Sequence, residues 1–249
     1  MESALRNLVV FDIDGTLLDS VAVHQAALAS AIEATDLAYR DTVWSNYANH
    51  TDSGVFWEAY VRSLGREPDG TQCGLFESSF AGRYEDLVAV EVPREIPGAR
   101  RMLERMKSSE QWRVAFATGS FRRAAEHKLR LLGIEPDSAV LVTATEFRTR
   151  REIVASAVQR SLGPVTSPAE LRVVSVGDGP WDARTAAELA IAFIGVAEGV
   201  AGQRLQALGA QGVVPHYGDI KSFLHLLDTA GAPPGNSNGD SPVSWSFGA

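Results

Sequence analysis

The stretch Leu8-Val9-Val10-Phe11-Asp12-Ile13-Asp14-Gly15-Thr16 decides how this 249-residue chain is read. Four apolar residues without polar alternation predict a strand buried on both faces. The strand runs straight into two carboxylates two residues apart, which an extended backbone points to the same side. Unpaired buried charge is costly, so a plain core strand has no reason to end this way. At the carboxyl end of a strand in an open α/β sheet, the pair would face the crevice where ligands bind. Gly15 permits a positive φ or a close approach by another group. The bland alternative is a strand running out into a polar turn.

Apolar runs of the same kind recur at 114–117 (VAFA), 139–142 (AVLV), 173–176 (VVSV) and 191–196 (IAFIGV). Amphipathic segments predict helices at 99–107, 122–132, 150–161, 183–189 and 203–208. Gly133 stands where a C-cap glycine would. Thr149-Arg150-Arg151-Glu152 reads as a capping box. This alternation predicts a doubly wound parallel α/β sheet. Residues 20–92 break it, with no buried-strand run and helices predicted at 23–35, 55–64 and 75–87. The chain is therefore read as an α/β core over 1–19 and 93–230 with an α-helical cap inserted over 20–92. Pro93 and Pro97-Gly98 punctuate the return to the core. The Gly-, Pro-, Ser- and Asn-rich tail, 231–249, is read as disordered.

The net charge of −8 argues against bulk-charge binding to nucleic acid or to an anionic membrane. No apolar run nears the ~18 residues of a membrane-spanning helix. The start shows no secretory leader pattern. The single cysteine, Cys73, excludes an internal disulfide and fits a reducing compartment, so the cytoplasm is the expected setting. Whether the chain is a monomer or a homodimer is not legible.

Two later strand ends repeat the theme. Residues 114–117 deliver Thr118-Gly119-Ser120 ahead of a helix, where a hydroxyl, an amide and a helix start can hold a phosphoryl oxygen. An ST-turn would look the same. Residues 173–176 deliver Gly177-Asp178-Gly179-Pro180-Trp181-Asp182. Taken in order, FDIDGT, the Thr118 segment and GDGPWD resemble three motifs of the haloacid dehalogenase-like superfamily of hydrolases. The match covers 8–230, and the helical insertion after the first motif resembles the family's first cap class. The third family motif is a lysine before a helix, and this chain has only Lys107, Lys128 and Lys221, none in that place. Arg148 fits the family spacing and Arg150 fits the capping box, so both are candidates to replace it, with Arg151 beside them.

The resemblance implies a phosphatase. Asp12 would attack phosphorus, and Asp14 would protonate the leaving oxygen and then activate water. Gly15, Thr16, Thr118, Gly119 and Ser120 would line the phosphate site, with Arg148 or Arg150 supplying the cation. Mg²⁺ would be held by Asp12, Asp178 and the Asp14 backbone carbonyl, the oxygen ligands it prefers. Asp182 would orient a water or the arginine, or simply complement the helix dipole. Trp181 reads as packing, and His24 and His50 as packing or surface groups. Dehalogenases lack the second carboxylate, and phosphonatases need a cap lysine that 20–92 does not contain. A phosphomutase and a catalytically silent phosphate-ligand-binding protein are the alternatives. The partner is expected to be a small phosphorylated metabolite. The cap carries four arginines against eleven acids, while the core is balanced. An acidic cap would repel a polyanion, so one reading gives the substrate a neutral or cationic non-phosphate end. The other reading is that these acids only solvate the cap's outer face. Trp44 and Tyr47, or Phe56 and Trp57, are the cap aromatics placed to face it.

Overall fold

Both faces of the first strand are buried, as its sequence requires. Leu8 and Val10 enter one apolar cluster, and Val9 and Phe11 enter another. The computed structural model describes residues 7–162 and 171–231. The chain runs through β1 (Asn7–Phe11), β2 (Leu18–Asp19), α1 (Val21–Glu33), α2 (Asp52–Leu64), α3 (Gly70–Val90) and β3 (Arg94–Glu95). Then come α4 (Ala99–Lys107), β4 (Trp112–Ala117), α5 (Arg122–Leu131), β5 (Val140–Val142) and α6 (Arg150–Ser161). The chain closes with β6 (Arg172–Gly177), α7 (Pro180–Glu188), β7 (Ala192–Val196), α8 (Gly199–Ala207), β8 (Gly212–Val214) and α9 (Ile220–Thr229).

Six strands form one parallel sheet in the order β5-β4-β1-β6-β7-β8. The strand sequence runs outward both ways from β1, so the order reverses between β1 and β6. That is the switch point where doubly wound sheets open a ligand crevice. Phe11 lies level with Phe116 of β4 and Val176 of β6. The three strands therefore end together and deliver Asp12, Thr118 and Asp178 to one edge. The expected α/β architecture is the one found.

Helices α1, α2 and α3 form the insert, whose two ends meet where β2 pairs antiparallel with β3. Thr51 caps α2 by accepting from the Gly54 amide at 3.1 Å. Asp69 and Gln72 form a capping box on α3. The Thr149–Glu152 capping box opens α6 as expected, and Gly133 takes φ +76° after α5. Four elements, β2, β3, β8 and α9, go beyond the sequence reading. β8 has three residues, too few for a periodic signal, and α9 buries Phe223 and Leu227 one turn apart. Helix α7 starts at Pro180, earlier than 183, because Pro180 suits a first helical position and Asp182 accepts from the Gly179 amide. The tail expectation lies outside the described residues. Among those described, no helix is long and apolar enough to cross a membrane.

Candidate active site

Asp12 leaves β1 into a buried site. It is 4 % exposed, and neither carboxylate oxygen accepts a well-formed hydrogen bond. Arg150 Nη1 stands 3.3 Å from Oδ1. Burial pushes the Asp12 carboxyl up to about 7, Arg150 opposing and Asp182 and Asp14 adding to the rise. Asp12, Asp178 and Asp182 bring carboxylate oxygens within 4.8 Å of one another. Burial and the neighbouring acids raise Asp178 and Asp182 as well. Bare buried oxygens in an acidic group of this size are what a hard divalent cation would satisfy. Gly15 makes the cluster possible. It takes φ +73°, and a Cβ there would lie 2.2 Å from Asp178 Oδ2.

The cation facing this cluster comes from the first position of α6. Arg150 Nη1 donates to Asp182 Oδ1 at 2.7 Å, and Nε donates to the His50 carbonyl at 3.0 Å. Asp182 Oδ2 is taken by the Gly179 amide at 3.0 Å. Asp182 thus holds Arg150 against Asp12 and has little free capacity of its own. A Cβ on Gly177 would meet Asp182 at 2.5 Å, so that close seat depends on the glycine.

Asp14 is treated differently. Its Oδ1 accepts from Ser20 at 2.6 Å and pairs with Lys128 Nζ at 2.5 Å, while Oδ2 accepts from Ser120 at 2.5 Å. Lys128 is fully buried and also donates to Ser120 Oγ at 2.9 Å and His24 Nδ1 at 3.0 Å. His24 Nε2 in turn meets Asp52 Oδ1 at 2.8 Å. Burial works to raise the Asp14 carboxyl, but the Lys128 ammonium and the donors around it win. They hold it well below the usual carboxylate range. Thr118 Oγ1 accepts from the Ser120 amide at 3.1 Å, and Thr16 is buried with its hydroxyl unpartnered.

The insert closes over this edge through residues 50–53. The Asp52 amide donates to the Gly119 carbonyl at 2.8 Å, and Asp52 Oδ2 accepts from the Phe121 amide at 2.7 Å. Thr51 Oγ1 donates to the Arg148 carbonyl at 2.6 Å. A cavity of about 90 Å³ remains between the insert and the strand ends. Asp14, Gly119, Ser120 and Arg150 line its floor, and Val21, Leu28, Trp44 and Val55 line its roof. His50 stacks on Trp181 at its side, ring centroids 4.7 Å apart.

A family model described as haloacid dehalogenase-like hydrolase matches residues 7–189. The chain belongs to the haloacid dehalogenase-like hydrolase family. It is 27% identical over 226 residues to a phosphoglycolate phosphatase of Cereibacter sphaeroides (strain ATCC 17025 / ATH 2.4.3), covering 88% of this chain and 98% of that one. A hydrolase structure from Pseudomonas syringae superposes with TM-score 0.66 at 21% identity, covering 88% of this chain and 98% of the other. A putative β-phosphoglucomutase from Bacteroides vulgatus superposes with TM-score 0.65 at 18% identity, over 91% and 90% of the two chains. At these identities the two structures establish the shared fold alone.

In this haloacid dehalogenase-like hydrolase the structure separates the two arginine candidates. Arg150 reaches Asp12, whereas the Arg148 guanidinium lies 4.0 Å over the Trp57 ring in the insert. Arg148 is thereby corrected from a candidate site residue to a contact between core and insert. Lys128 does not stand at the third-motif position, yet it enters the site against Asp14. The signal was available. It shares the buried side of α5 with Ala124, Ala125 and Leu129, an apolar face where a lysine is out of place. His24 is likewise no surface group but a buried link between Lys128 and Asp52. Trp181 and His50 line the cavity, and of the cap aromatics Trp44 does so. Tyr47 and Phe56 are core residues of the insert.

Proposed function

We propose that this phosphatase of the haloacid dehalogenase-like family cleaves a small phosphate monoester through an aspartyl-phosphate formed on Asp12, with Mg²⁺ as its divalent cofactor. The observation that carries the reading is the Asp12 carboxylate, buried, with no well-formed hydrogen bond to either oxygen and faced by Arg150 at the switch point of the sheet. A carboxylate left so bare is poised to form a bond rather than to stabilise the fold.

Asp12 attacks the phosphorus and displaces the leaving oxygen. Arg150, held by Asp182, presents its guanidinium to the phosphoryl oxygens where charge spreads in the transition state. The Thr118 hydroxyl and the Gly119 amide are the remaining donors at the strand end. Asp14 gives a proton to the leaving oxygen and then takes one from the water that attacks the intermediate. Lys128 favours the carboxylate form, which suits the second step. A phosphoryl dianion arriving beside Asp14 raises its proton affinity for the first. Asp12, Asp178 and the Asp14 backbone carbonyl would hold Mg²⁺. When bound, the ion neutralises the charge between nucleophile and phosphoryl group. The insert serves as a cap that excludes bulk water. A cytoplasmic setting goes with this reading, since the single cysteine forms no internal disulfide.

Phosphate release from a panel of small esters, with Mg²⁺ and with chelator, tests the reading. Acid-quenched protein should carry the mass of one phosphoryl group on Asp12, and Asp12→Asn should carry none. Undiminished release by Asp12→Asn would overturn it. A sugar phosphate isomerised without free phosphate would convert the reading to a mutase.

A further inference from the structure

Every charged side chain that lines the cavity already has a charged or polar partner inside the protein. Asp14 is taken by Lys128, Ser20 and Ser120. Asp52 is taken by His24 and the Phe121 amide. Arg150 is taken by Asp12, Asp182 and the His50 carbonyl, and it faces the phosphoryl side. Both ring nitrogens of His24 are engaged inside the protein, Nδ1 by Lys128 and Nε2 by Asp52. Burial, with Arg150 and Arg184 nearby, pushes His50 down to about 4.

The rest of the wall is apolar or neutral. Val21, Leu28, Trp44 and Val55 form the roof, with Gln25 and Thr51 as its neutral polar groups, the Thr51 hydroxyl already bonded to the Arg148 carbonyl. Other arginines nearby are occupied elsewhere. Arg148 lies over Trp57, and Arg184 donates to the Pro180 carbonyl on the exposed face of α7. The space is also small. At about 90 Å³ it is smaller than the ~150 Å³ of a cavity that takes a benzene-sized guest.

We infer that the ester's leaving group is a short, uncharged alcohol, apolar along its body and with at most one neutral polar group. The inference rests on the phosphatase reading and names its substrate class. A carboxylate or a second phosphate in this cavity would meet no unpaired cation among the lining residues. An ammonium would find both carboxylates already paired. Either charge gives up water and meets no opposite charge free to replace it, the Trp181 indole N–H being a neutral donor. An uncharged chain of the same length loses little, and gains by leaving water against Leu28 and Val55.

Three esters of matched length separate the cases: 2-hydroxyethyl phosphate, phosphoglycolate and 2-aminoethyl phosphate. Each is measured for kcat/KM on the full chain with Mg²⁺, with p-nitrophenyl phosphate as a reference. The neutral ester should exceed both charged ones by about 10²-fold. Equal or better turnover of phosphoglycolate or 2-aminoethyl phosphate overturns the inference and leaves the phosphatase reading standing. So does hydrolysis of p-nitrophenyl phosphate alone. No release from any of the four overturns both. Gln25→Lys puts an ammonium into the wall at a half-buried position and should shift the ratio toward phosphoglycolate by about tenfold. An unchanged ratio in an active Gln25→Lys enzyme also overturns it.

Discussion

Asp12 and Asp14 stand two residues apart on one strand end, and the protein surrounds them in opposite ways. Asp12 is left without a well-formed hydrogen bond, next to two more acids, and its carboxyl is pushed up. Asp14 is given two hydroxyls and a buried ammonium, and its carboxyl is held down. Neighbouring acids whose surroundings drive their proton affinities apart are acids with different tasks. The bare one suits bond formation and a metal. The well-held one suits proton transfer, where direction and reach decide the rate. The lesson extends to the cations. Arg150 serves the bare acid from the core's α6, whereas Lys128 serves the held acid and is tied through His24 and Asp52 to the insert.

The sharpest way to break the comparison is to neutralise each acid in turn. Asp12→Asn should abolish turnover, a loss of more than about 10³-fold, for every ester. Asp14→Asn should lose about 10²–10⁴-fold with alkyl esters. It should lose much less in the first step with p-nitrophenyl phosphate, whose leaving group needs no proton, so that phosphorylated protein accumulates. Quench-flow with intact-protein mass spectrometry checks this. Accumulation in Asp12→Asn, or its absence in Asp14→Asn, would exchange or erase the two roles.

The arginines come next. Arg150→Ala should lower kcat by about 10²–10³-fold, and Arg150→Lys should recover only part of it, since one ammonium cannot meet Asp12 and Asp182 and also reach the His50 carbonyl that Arg150 Nε holds. Arg148→Ala should change kcat by no more than about threefold, as its loss removes a cation–π contact at the insert's edge. Steady-state kinetics on both variants decides whether one arginine or two serve the site.

Lys128→Met attacks the held acid from behind. It strands Asp14 with no ammonium, and breaking a buried ion pair from one side costs about 3–5 kcal/mol of stability. Denaturant unfolding should show that loss. Asp14→Asn combined with Lys128→Met should recover much of it, because neither charge is then left alone. Additive losses in the double variant would mean that the two residues do not act as a pair.

The carboxylates were legible in the sequence because each follows directly on an apolar run, and register alone brings β1, β4 and β6 to one edge. The choice between Arg148 and Arg150 was not. Thr149 begins the helix between them, and only the helix geometry sends one guanidinium to Asp12 and the other back over Trp57. Lys128, His24 and Asp52 were further out of reach. Their partners lie on elements distant in the chain, and nothing local marks a lysine or a histidine as facing inward except its place on an apolar helix face. The fold was read from periodicity, which served the long helices and the buried strands and had nothing to act on in the three residues of β8 or the two-residue pairs of β2 and β3.

The smallest effect probes the bare acid without a substrate. Asp12 ordinarily titrates near 3.8 and is pushed up to about 7 in the folded protein. Between those values the native state keeps a proton that the unfolded chain has released. Metal-free stability should therefore fall as pH rises from 5 to 8. Asp178 and Asp182 are shifted in the same direction and add to the slope. Asp14 is shifted the other way, and its contribution is lost only as pH falls below the ordinary carboxylate range. It therefore leaves this window untouched. The expected loss is of order 2 kcal/mol, or about 4–8 °C in Tm for a chain of this size. Asp12→Asn should flatten the slope, and so should Mg²⁺, which binds the ionised carboxylates and so stabilises the fold most at the alkaline end. Thermal melts in chelator across that range check it. A metal-free Tm that rises with pH would mean that Asp12 is held as firmly as Asp14, and the contrast between them would be gone.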